Sequence, residues 1–338
     1  MIIVMKKFAE KDQIELVMEA ISKLDLKPVP LYGTERTVIA VIGDERPVDE
    51  HHISSLPGVD KVMGILDPFK LASRETKHEN TVIDLGDGVK IGGNEICIMA
   101  GPCAVESRPQ MESIAKTVKK AGATILRGGA YKPRTSPYSF EGLGPEGLPL
   151  MAEVAKANGL KMITEVVDPR DVELVGKYTD IFQIGARNMQ NFNLLKEVGK
   201  TKKPVLLKRG MSATVKEFLL AAEHIMSNGN PDVILCERGI RTFETETRNT
   251  LALATVPIIK EWSHLPIIVD PSHSTGKPSL VGPMTRAAIA AGADGILIDV
   301  HPNPAEALCD GDQAIRPDAF ERLMEEIKPI AAAVGRSM

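Results

Sequence analysis

The segment "RGGAYKPRTSPYSF", Arg127 to Phe140, sets three cations, Arg127, Lys132 and Arg134, among the hydroxyls of Thr135, Ser136 and Ser139. It follows an apolar run, "ATIL", that reads as the body of a strand. Gly128 and Gly129 let backbone approach a ligand closely, and Pro133 and Pro137 stiffen the loop. Arginine grips phosphate or carboxylate oxygens with a bidentate fork, and hydroxyls add hydrogen bonds. Such a loop is an anion cradle held at a strand end.

Further cations stand near the ends of other apolar runs: Arg187 in "QIGARN", Lys208 in "LLKRG" and Arg238 in "CERG". A lone arginine in such a place is more often half of a structural salt bridge. A group of them is a different matter, because Glu165, Glu237 and Asp270 cannot neutralise them all. The missing counter-charge is expected on a substrate with more than one phosphate or carboxylate group. A second constellation has metal-ligand chemistry: Cys103 in "AGPC", His273 in "DPSH", Asp299 and His301 in "DVH", and Asp310 in "CDGD". Alone, a buried cysteine is usually a small hydrophobe. Together these residues form a mixed sulfur, nitrogen and oxygen set for a divalent ion.

Both constellations need a fold that gathers them. From residue 96 short apolar runs recur: "EICIMAGPC", "ATILRGGA", "KMITEV", "IFQIGA", "PVLLKRG", "VILCERG", "PIIVDPSH" and "GILIDVHP". Amphipathic stretches such as "MESIAKTVKKAG", "VKEFLLAAEHIMSNG" and "FERLMEEIKPIAAAVG" separate them. Near-continuous apolar strands alternating with helices over residues 96–338 predict an α/β fold, the (β/α)8 TIM barrel. A doubly wound open sheet is the competing arrangement, and eight repeats without an evident edge strand favour closure. Function is then expected at the C-terminal ends of the strands. Alternation along each strand points Arg127, Glu165, Arg187, Lys208, Arg238 and Asp270 inward, with Gln183 the polar exception among the remaining inward positions. Closure makes strands one, seven and eight neighbours, which brings Cys103, His273, Asp299 and Asp310 together.

Residues 1–70 read as β-α-β-β-α-β, a small ferredoxin-like α+β domain. Residues 71–95 supply a polar linker and a hairpin in "TVIDLGDGVKIGG". The 338 residues are 43% hydrophobic and 25% charged, with net charge −4, so no general attraction for nucleic acid or an anionic membrane is expected. No apolar run approaches the ~20 residues of a membrane span. The start "MIIVMKKFAEKD" does not read as a signal peptide. Cys97, Cys103, Cys236 and Cys309 form no CxxC pair and read as reduced cytosolic thiols. "GLGPEG" matches GxGxxG only in letters, since it lies well past its strand and a proline interrupts it. His51 and His52 fall on a surface helix.

Taken in order, "AGPC", "LRGGAYKPRTSPYSFEG", "QIGARNMQN", "LLKRG", "CERGIRTFE", "VDPSHSTG" and the "DVHPNP"/"DGDQ" end closely resemble the 3-deoxy-D-arabino-heptulosonate 7-phosphate (DAHP) synthase family. The likeness covers about residues 80 to 335 and is to the shorter bacterial and archaeal form; the first domain is similar to a regulatory extension found on some members. It implies condensation of phosphoenolpyruvate with erythrose 4-phosphate. Arg127, Lys132, Ala186, Arg187, Lys208 and Arg238 would hold phosphoenolpyruvate. Arg134, Thr135 and Ser136 would hold the aldose phosphate, and Asp270 the aldose hydroxyls. Cys103, His273, Asp299 and Asp310 would bind a divalent metal such as Mn, Fe, Co or Zn, and Lys132, Glu165 and His273 would take part in catalysis. The resemblance further implies a cytoplasmic homo-oligomer, dimer or tetramer, with an aromatic amino acid as effector at the first domain. The family most often has Glu where this chain has Asp299, whose carboxylate falls ~1.5 Å short unless the backbone shifts. Cys309 stands beside Asp310, and oxidation to a disulfide with Cys103 would empty the metal site. Two other readings stay open: the sister 3-deoxy-D-manno-octulosonate 8-phosphate synthase, acting on arabinose 5-phosphate, and a class I aldolase with Lys132 or Lys208 as Schiff base.

Overall fold

The computed structural model describes residues 1–33, 36–43, 48–63, 68–134 and 136–338. They form two compact units, Met1–Asn80 with Glu261–His264, and Thr81–Lys260 with Leu265–Met338.

The first unit runs β1 (Ile2–Met5), α1 (Lys11–Ser22), β2 (Lys27–Tyr32), β3 (Thr37–Ile42), α2 (Glu50–Ser54) and β4 (Val59–Met63). Its antiparallel sheet has the order β2-β3-β1-β4. This is the expected ferredoxin-like succession; the expected last strand reached Leu66, which lies outside the described residues. Helix α1 starts at a capping box between Glu10 and Gln13 and buries Ile14, Val17 and Ile21. They pack on Ile3, Ile39 and Val41 of the sheet. Asp49 caps α2 by accepting from the amides of His51 and His52, whose side chains are exposed as expected.

The second unit opens with a hairpin, β5 (Ile83–Asp84) and β6 (Lys90–Ile91), paired through Ile83 and Ile91. The strands β7 (Cys97–Gly101), β8 (Ile125–Arg127), β9 (Lys161–Glu165), β10 (Ile181–Ile184), β11 (Val205–Lys208), β12 (Val233–Glu237), β13 (Ile267–Val269) and β14 (Gly295–Asp299) then close into a parallel barrel. All eight coincide with the apolar runs read from the sequence. The helices α3 (Arg108–Lys120), α4 (Gly147–Ala157), α5 (Val172–Gly176), α6 (Phe192–Gly199), α7 (Val215–Met226), α8 (Thr255–Trp262), α9 (Pro271–Thr275), α10 (Pro278–Ala290) and α11 (Pro317–Ala333) connect or follow them.

Closure is made by β14 against β7, in register from Gly295 opposite Cys97 to Asp299 opposite Gly101. The barrel interior is layered. Met99, Ile125, Ile163, Ile181, Leu206, Ile234, Ile268 and Leu297 form one buried cluster, to which the hairpin adds Ile83 and Ile91. Two residues further along the same strands, the same inward face carries Arg127, Glu165, Gln183, Lys208, Asp270 and Asp299. An apolar floor thus supports a polar mouth.

In the first unit His264 is buried, and its Nε2 lies 2.7 Å from the carbonyl oxygen of Leu71. Burial pushes its pKa down from 6.5 to about 4. The unfolded chain therefore binds a proton that the fold excludes between these values. Stability is fully present above about pH 6.5, falls as pH drops through that window, and levels off near pH 4, a total of about 3 kcal/mol. His264→Gln should flatten this slope in urea unfolding measured from pH 4 to pH 7; unchanged slopes in the variant would contradict the assignment.

Candidate active site

A cavity of about 280 Å³ opens at the C-terminal end of the barrel strands, and Lys132, Arg134, Arg187, Lys208, Arg238 and Arg248 line it. Ser136, Ser139, Glu165, Gln183, His273 and Asp310 add further polar groups, and Ala186 lies beside Arg187 in the wall. Arg127 and Asp270 are buried beside it. Thr135 lies outside the described residues.

Some of these cations are matched within the protein. Lys208 Nζ donates to Asp270 Oδ2 at 2.6 Å, both buried. Arg127 pairs with Asp299, equally buried, and donates to the carbonyl of Pro102 at 2.9 Å. Lys132 Nζ lies 3.2 Å from the Cys103 sulfur and 3.9 Å from Glu165 Oε2. Arg248 donates to Gln313 at 2.7 Å and meets Asp310 at 3.2 Å.

Two guanidinium donors are not matched: Nη1 of Arg238 and Nε of Arg127 are buried and have no acceptor among the described residues. A buried guanidinium donor left without an acceptor is costly, so this mouth is built to receive one. Burial lowers the pKa of Arg238, and the neighbouring Arg248 and Arg187 lower it further against the pull of Asp270. Crowded cations of this kind call for an anion. Burial also works to lower Lys132, but the Cys103 sulfur and the Glu165 carboxylate outweigh it and hold its pKa above the ordinary lysine value. A charged ammonium is no imine-forming nucleophile, and Lys208 is held in an ion pair, so neither lysine suits a Schiff base.

The second constellation gathers around His273. Asp270 is the N-cap of the short helix α9: its Oδ1 accepts from the His273 amide at 2.9 Å, and Pro271 fills the first helical position. "DPSH" is thus a local device that aims one imidazole. Nδ1 of that ring lies 2.8 Å from Asp270 Oδ2, without hydrogen-bond geometry. Its Nε2 lies 3.9 Å from the Cys103 sulfur and 3.7 Å from Asp310 Oδ2. Cys103 Sγ and Asp310 Oδ2 are 3.1 Å apart. Donors around a four-coordinate divalent ion stand about 3.3–3.8 Å from one another, as metal–ligand bonds of 2.0–2.3 Å require. Cys103, His273 and Asp310 are close to that spacing, and their donor types fit a borderline-soft divalent ion.

Protonation fits as well. Burial lowers His273, which favours the neutral, ligating form. Burial would raise Asp310, but His273 and Arg248 outweigh it and hold its carboxyl well below the ordinary range. The hydrogen bond with Cys309, 3.4 Å away sulfur to sulfur, and burial push the Cys103 thiol up, while the same bond holds Cys309 down. All four cysteines are free thiols.

Two residues that the sequence brought forward turn elsewhere. His301 points its Nε2 at Glu106, 3.4 Å away, and its Nδ1 accepts from the Asn303 amide. Strand β14 ends at Asp299, so strand alternation no longer governs His301. Glu237 faces away from the barrel axis and pairs with Arg209 at 2.8 Å. Asp299, expected as a ligand, stands with Cys103 and His273 in a group whose donor atoms all lie within 4.8 Å of one another, and its carboxylate is also held by Arg127 and by Gln313 Nε2 at 2.6 Å. Conversely, Arg248 and Gln313 were not foreseen. Arg248 sits in "TETRNT", an irregular stretch with no apolar run to announce a strand end.

Comparisons with known proteins agree with this geometry. Residues 76–334 match the model of the DAHP synthetase I family, and residues 1–67 match that of the DAHP synthase ferredoxin-like domain. A phospho-2-dehydro-3-deoxyheptonate aldolase of Thermotoga maritima is 51% identical over 335 residues, 99% of each chain. A crystal structure of phospho-2-dehydro-3-deoxyheptonate aldolase from that organism superposes with a TM-score of 0.80 at 50% identity, covering 99% of this chain and 98% of the other. More distant is a 2-dehydro-3-deoxyphosphooctonate aldolase of Syntrophobacter fumaroxidans, 29% identical over 261 residues, 72% of this chain and 90% of that protein.

The Arg127–Asp299 pair makes a stability prediction. Removing one partner leaves a buried, uncompensated charge. Asp299→Ala, measured by denaturant unfolding with chelator present throughout, should lose about 3–5 kcal/mol. A loss below about 1 kcal/mol, the range of an exposed pair, would contradict the structural role.

Proposed function

The chain belongs to the DAHP synthetase I family, and from that premise we propose that it condenses phosphoenolpyruvate with D-erythrose 4-phosphate and water. The products are 3-deoxy-D-arabino-heptulosonate 7-phosphate and phosphate, at the first step of the shikimate pathway. The guanidinium of Arg238 carries the reading: it is buried at a cavity lined by cations, with a donor that has no acceptor among the described residues. Two phosphates and one carboxylate are the counter-charge this mouth lacks.

Arg127, Lys132, Arg187, Lys208 and Arg238 hold phosphoenolpyruvate, with Ala186 beside Arg187 in the wall. Arg134 and Ser136, with Thr135, hold the phosphate of the aldose. Asp270, expected at the sugar hydroxyls, is taken up by Lys208 and His273 and acts by placing both. Cys103, His273, Asp299 and Asp310 would hold a divalent ion, which would supply Lewis acidity at the aldehyde.

Carbon 3 of phosphoenolpyruvate bonds to the aldehyde carbon, whose oxygen must gain a proton. Lys132 Nζ, kept charged, stands ready to supply it. Carbon 2, left electron-poor, takes up water, and Glu165 Oε2, 3.9 Å from Lys132 Nζ, accepts the proton that the water loses. The carbon 2–oxygen bond to phosphate then breaks, and the new hydroxyl becomes the ketone as its proton leaves with phosphate. Arginines already in place stabilise that developing charge by ~3 kcal/mol for each well-placed donor.

The first unit is proposed to bind an aromatic amino acid such as phenylalanine or tyrosine and so restrain the barrel. Support comes from its match to the family's ferredoxin-like domain and from a cavity of about 530 Å³ within it, lined by Val4, Leu31, Tyr32, Arg36, Val38 and Lys61 among others. A cytoplasmic homo-oligomer, dimer or tetramer, completes the proposal. Among the described residues no helix is long and apolar enough to cross a membrane.

Phosphate release from phosphoenolpyruvate tests the reading, with erythrose 4-phosphate and arabinose 5-phosphate compared before and after chelator. Turnover with the four-carbon sugar is expected, lost on chelation, restored by a divalent ion and reduced by phenylalanine or tyrosine. Preference for the five-carbon sugar would move the chain to the sister activity. Turnover that survives full chelation would remove the metal from the account.

A further inference from the structure

We propose that Gln313 and Arg248 are positioning residues for the divalent ion: one hydrogen-bonded chain through them orients the carboxylates of Asp299 and Asp310. The inference rests on the metal site proposed above and states what aims two of its ligands.

Three observations support the assignment. The first is the use of the Gln313 side-chain amide, which is buried. Its Nε2 donates to Asp299 Oδ2 at 2.6 Å, and its Oε1 accepts from Arg248 Nη1 at 2.7 Å. The opposite orientation would set an oxygen against a carboxylate and a donor against a guanidinium, so the two neighbours fix the amide. Arg127 holds the other Asp299 oxygen. A carboxylate offers about four lone-pair sites, so these two hydrogen bonds leave room on it for an ion.

The second is the way Asp310 is turned. Arg248 Nη1 meets its Oδ1 at 3.2 Å. Oδ2 is the oxygen that faces the other donors, 3.1 Å from Cys103 Sγ and 3.7 Å from His273 Nε2. A guanidinium on one oxygen thus points its twin at the place of the ion. Hydrogen bonds that orient ligating groups in this manner are typically worth about ten- to a hundredfold in metal affinity.

The third is how the backbone places the two residues. Gln313 closes a short helical turn, Gly311–Gln313, and its backbone N–H donates to the Asp310 carbonyl at 3.3 Å. A Cβ on Gly311 would stand 2.2 Å from the Pro304 carbonyl oxygen, so this turn is packed where only glycine fits. The backbone N–H of Ile315 donates to the Asp299 carbonyl at 2.9 Å, which lays the segment against the end of β14. Arg248 is fastened to the helix that carries the imidazole. Its backbone N–H donates to the Thr275 carbonyl at 3.0 Å, and Asn249 Nδ2 donates to that of His273 at 3.1 Å. Gln313 and Arg248 therefore tie β14, the Asp310 loop and α9 into one frame.

The test is cobalt(II) titration of the full-length protein after chelator treatment, followed through the sulfur-to-cobalt charge-transfer band in the near ultraviolet. Gln313→Leu, similar in bulk but without the amide, should bind cobalt about ten- to a hundredfold more weakly than wild type. Arg248→Lys keeps the charge on a shorter, single-point donor at a partly exposed position, where the fold tolerates the change; it should bind at least about threefold more weakly. Wild-type affinity in either variant would overturn the part assigned to that residue. Urea unfolding of the metal-free proteins separates a purely structural role: lower stability with wild-type cobalt affinity overturns the proposal. Cys103→Ser isolates the premise. A band lost there, with wild-type affinity in the other two variants, overturns the positioning role alone; a band that survives Cys103→Ser overturns the metal site itself.

Discussion

The site depends on one contact, the pairing of β14 with β7. It joins the last strand of the barrel to the first, and no other pairing would bring Cys103 within reach of residues two hundred positions later. The contact is close. A Cβ on Gly295 would stand 2.5 Å from the Cys97 carbonyl oxygen, and on the other side of β7 one on Gly101 would stand 2.2 Å from that of Arg127 in β8. Both positions need glycine because strands packed this tightly leave no room for a side chain. Just beyond them the chain turns inward at Cys103, Asp299 and Asp310, so a shift in this register would separate the donors before it disturbed the apolar floor.

Charge is arranged in two tiers above that floor. The lower tier is internally neutral: Arg127 with Asp299, Lys208 with Asp270. Such pairs add little net stability but impose a geometry, since neither partner can move without stranding the other's charge. Above it Arg187, Arg238 and Arg248 face the cavity together; Arg248 meets Asp310, and Arg238 has a buried donor with no acceptor among the described residues. A ligand with several anionic groups turns this repulsion into attraction, with no rearrangement of the lower tier needed.

The barrel could be read from the sequence because parallel strands buried on both faces appear as continuous apolar runs. The cations at the ends of those runs could be read for the same reason, since strand alternation fixes which side chain points inward. What remained hidden depends on contacts beyond the strands. Asp299 lies at the right place on β14, but its partners, Arg127 on β8 and Gln313 in a later loop, are set by tertiary packing. His301 shares the parity of Asp299, yet the strand has ended before it. Arg248 belongs to a segment with no periodicity. Cys309 comes within 3.4 Å of Cys103, sulfur to sulfur, the approach that its place beside Asp310 suggested.

The central claim is that the unsatisfied cations of the mouth are completed by the anionic groups of the substrate. Calorimetric binding of phosphoenolpyruvate to chelator-treated wild type and Arg238→Gln tests it most directly. The account predicts that wild type binds without metal and that the variant binds about ten- to a hundredfold more weakly, the worth of one charged hydrogen bond in a buried site. Equal affinity in the two proteins would contradict it.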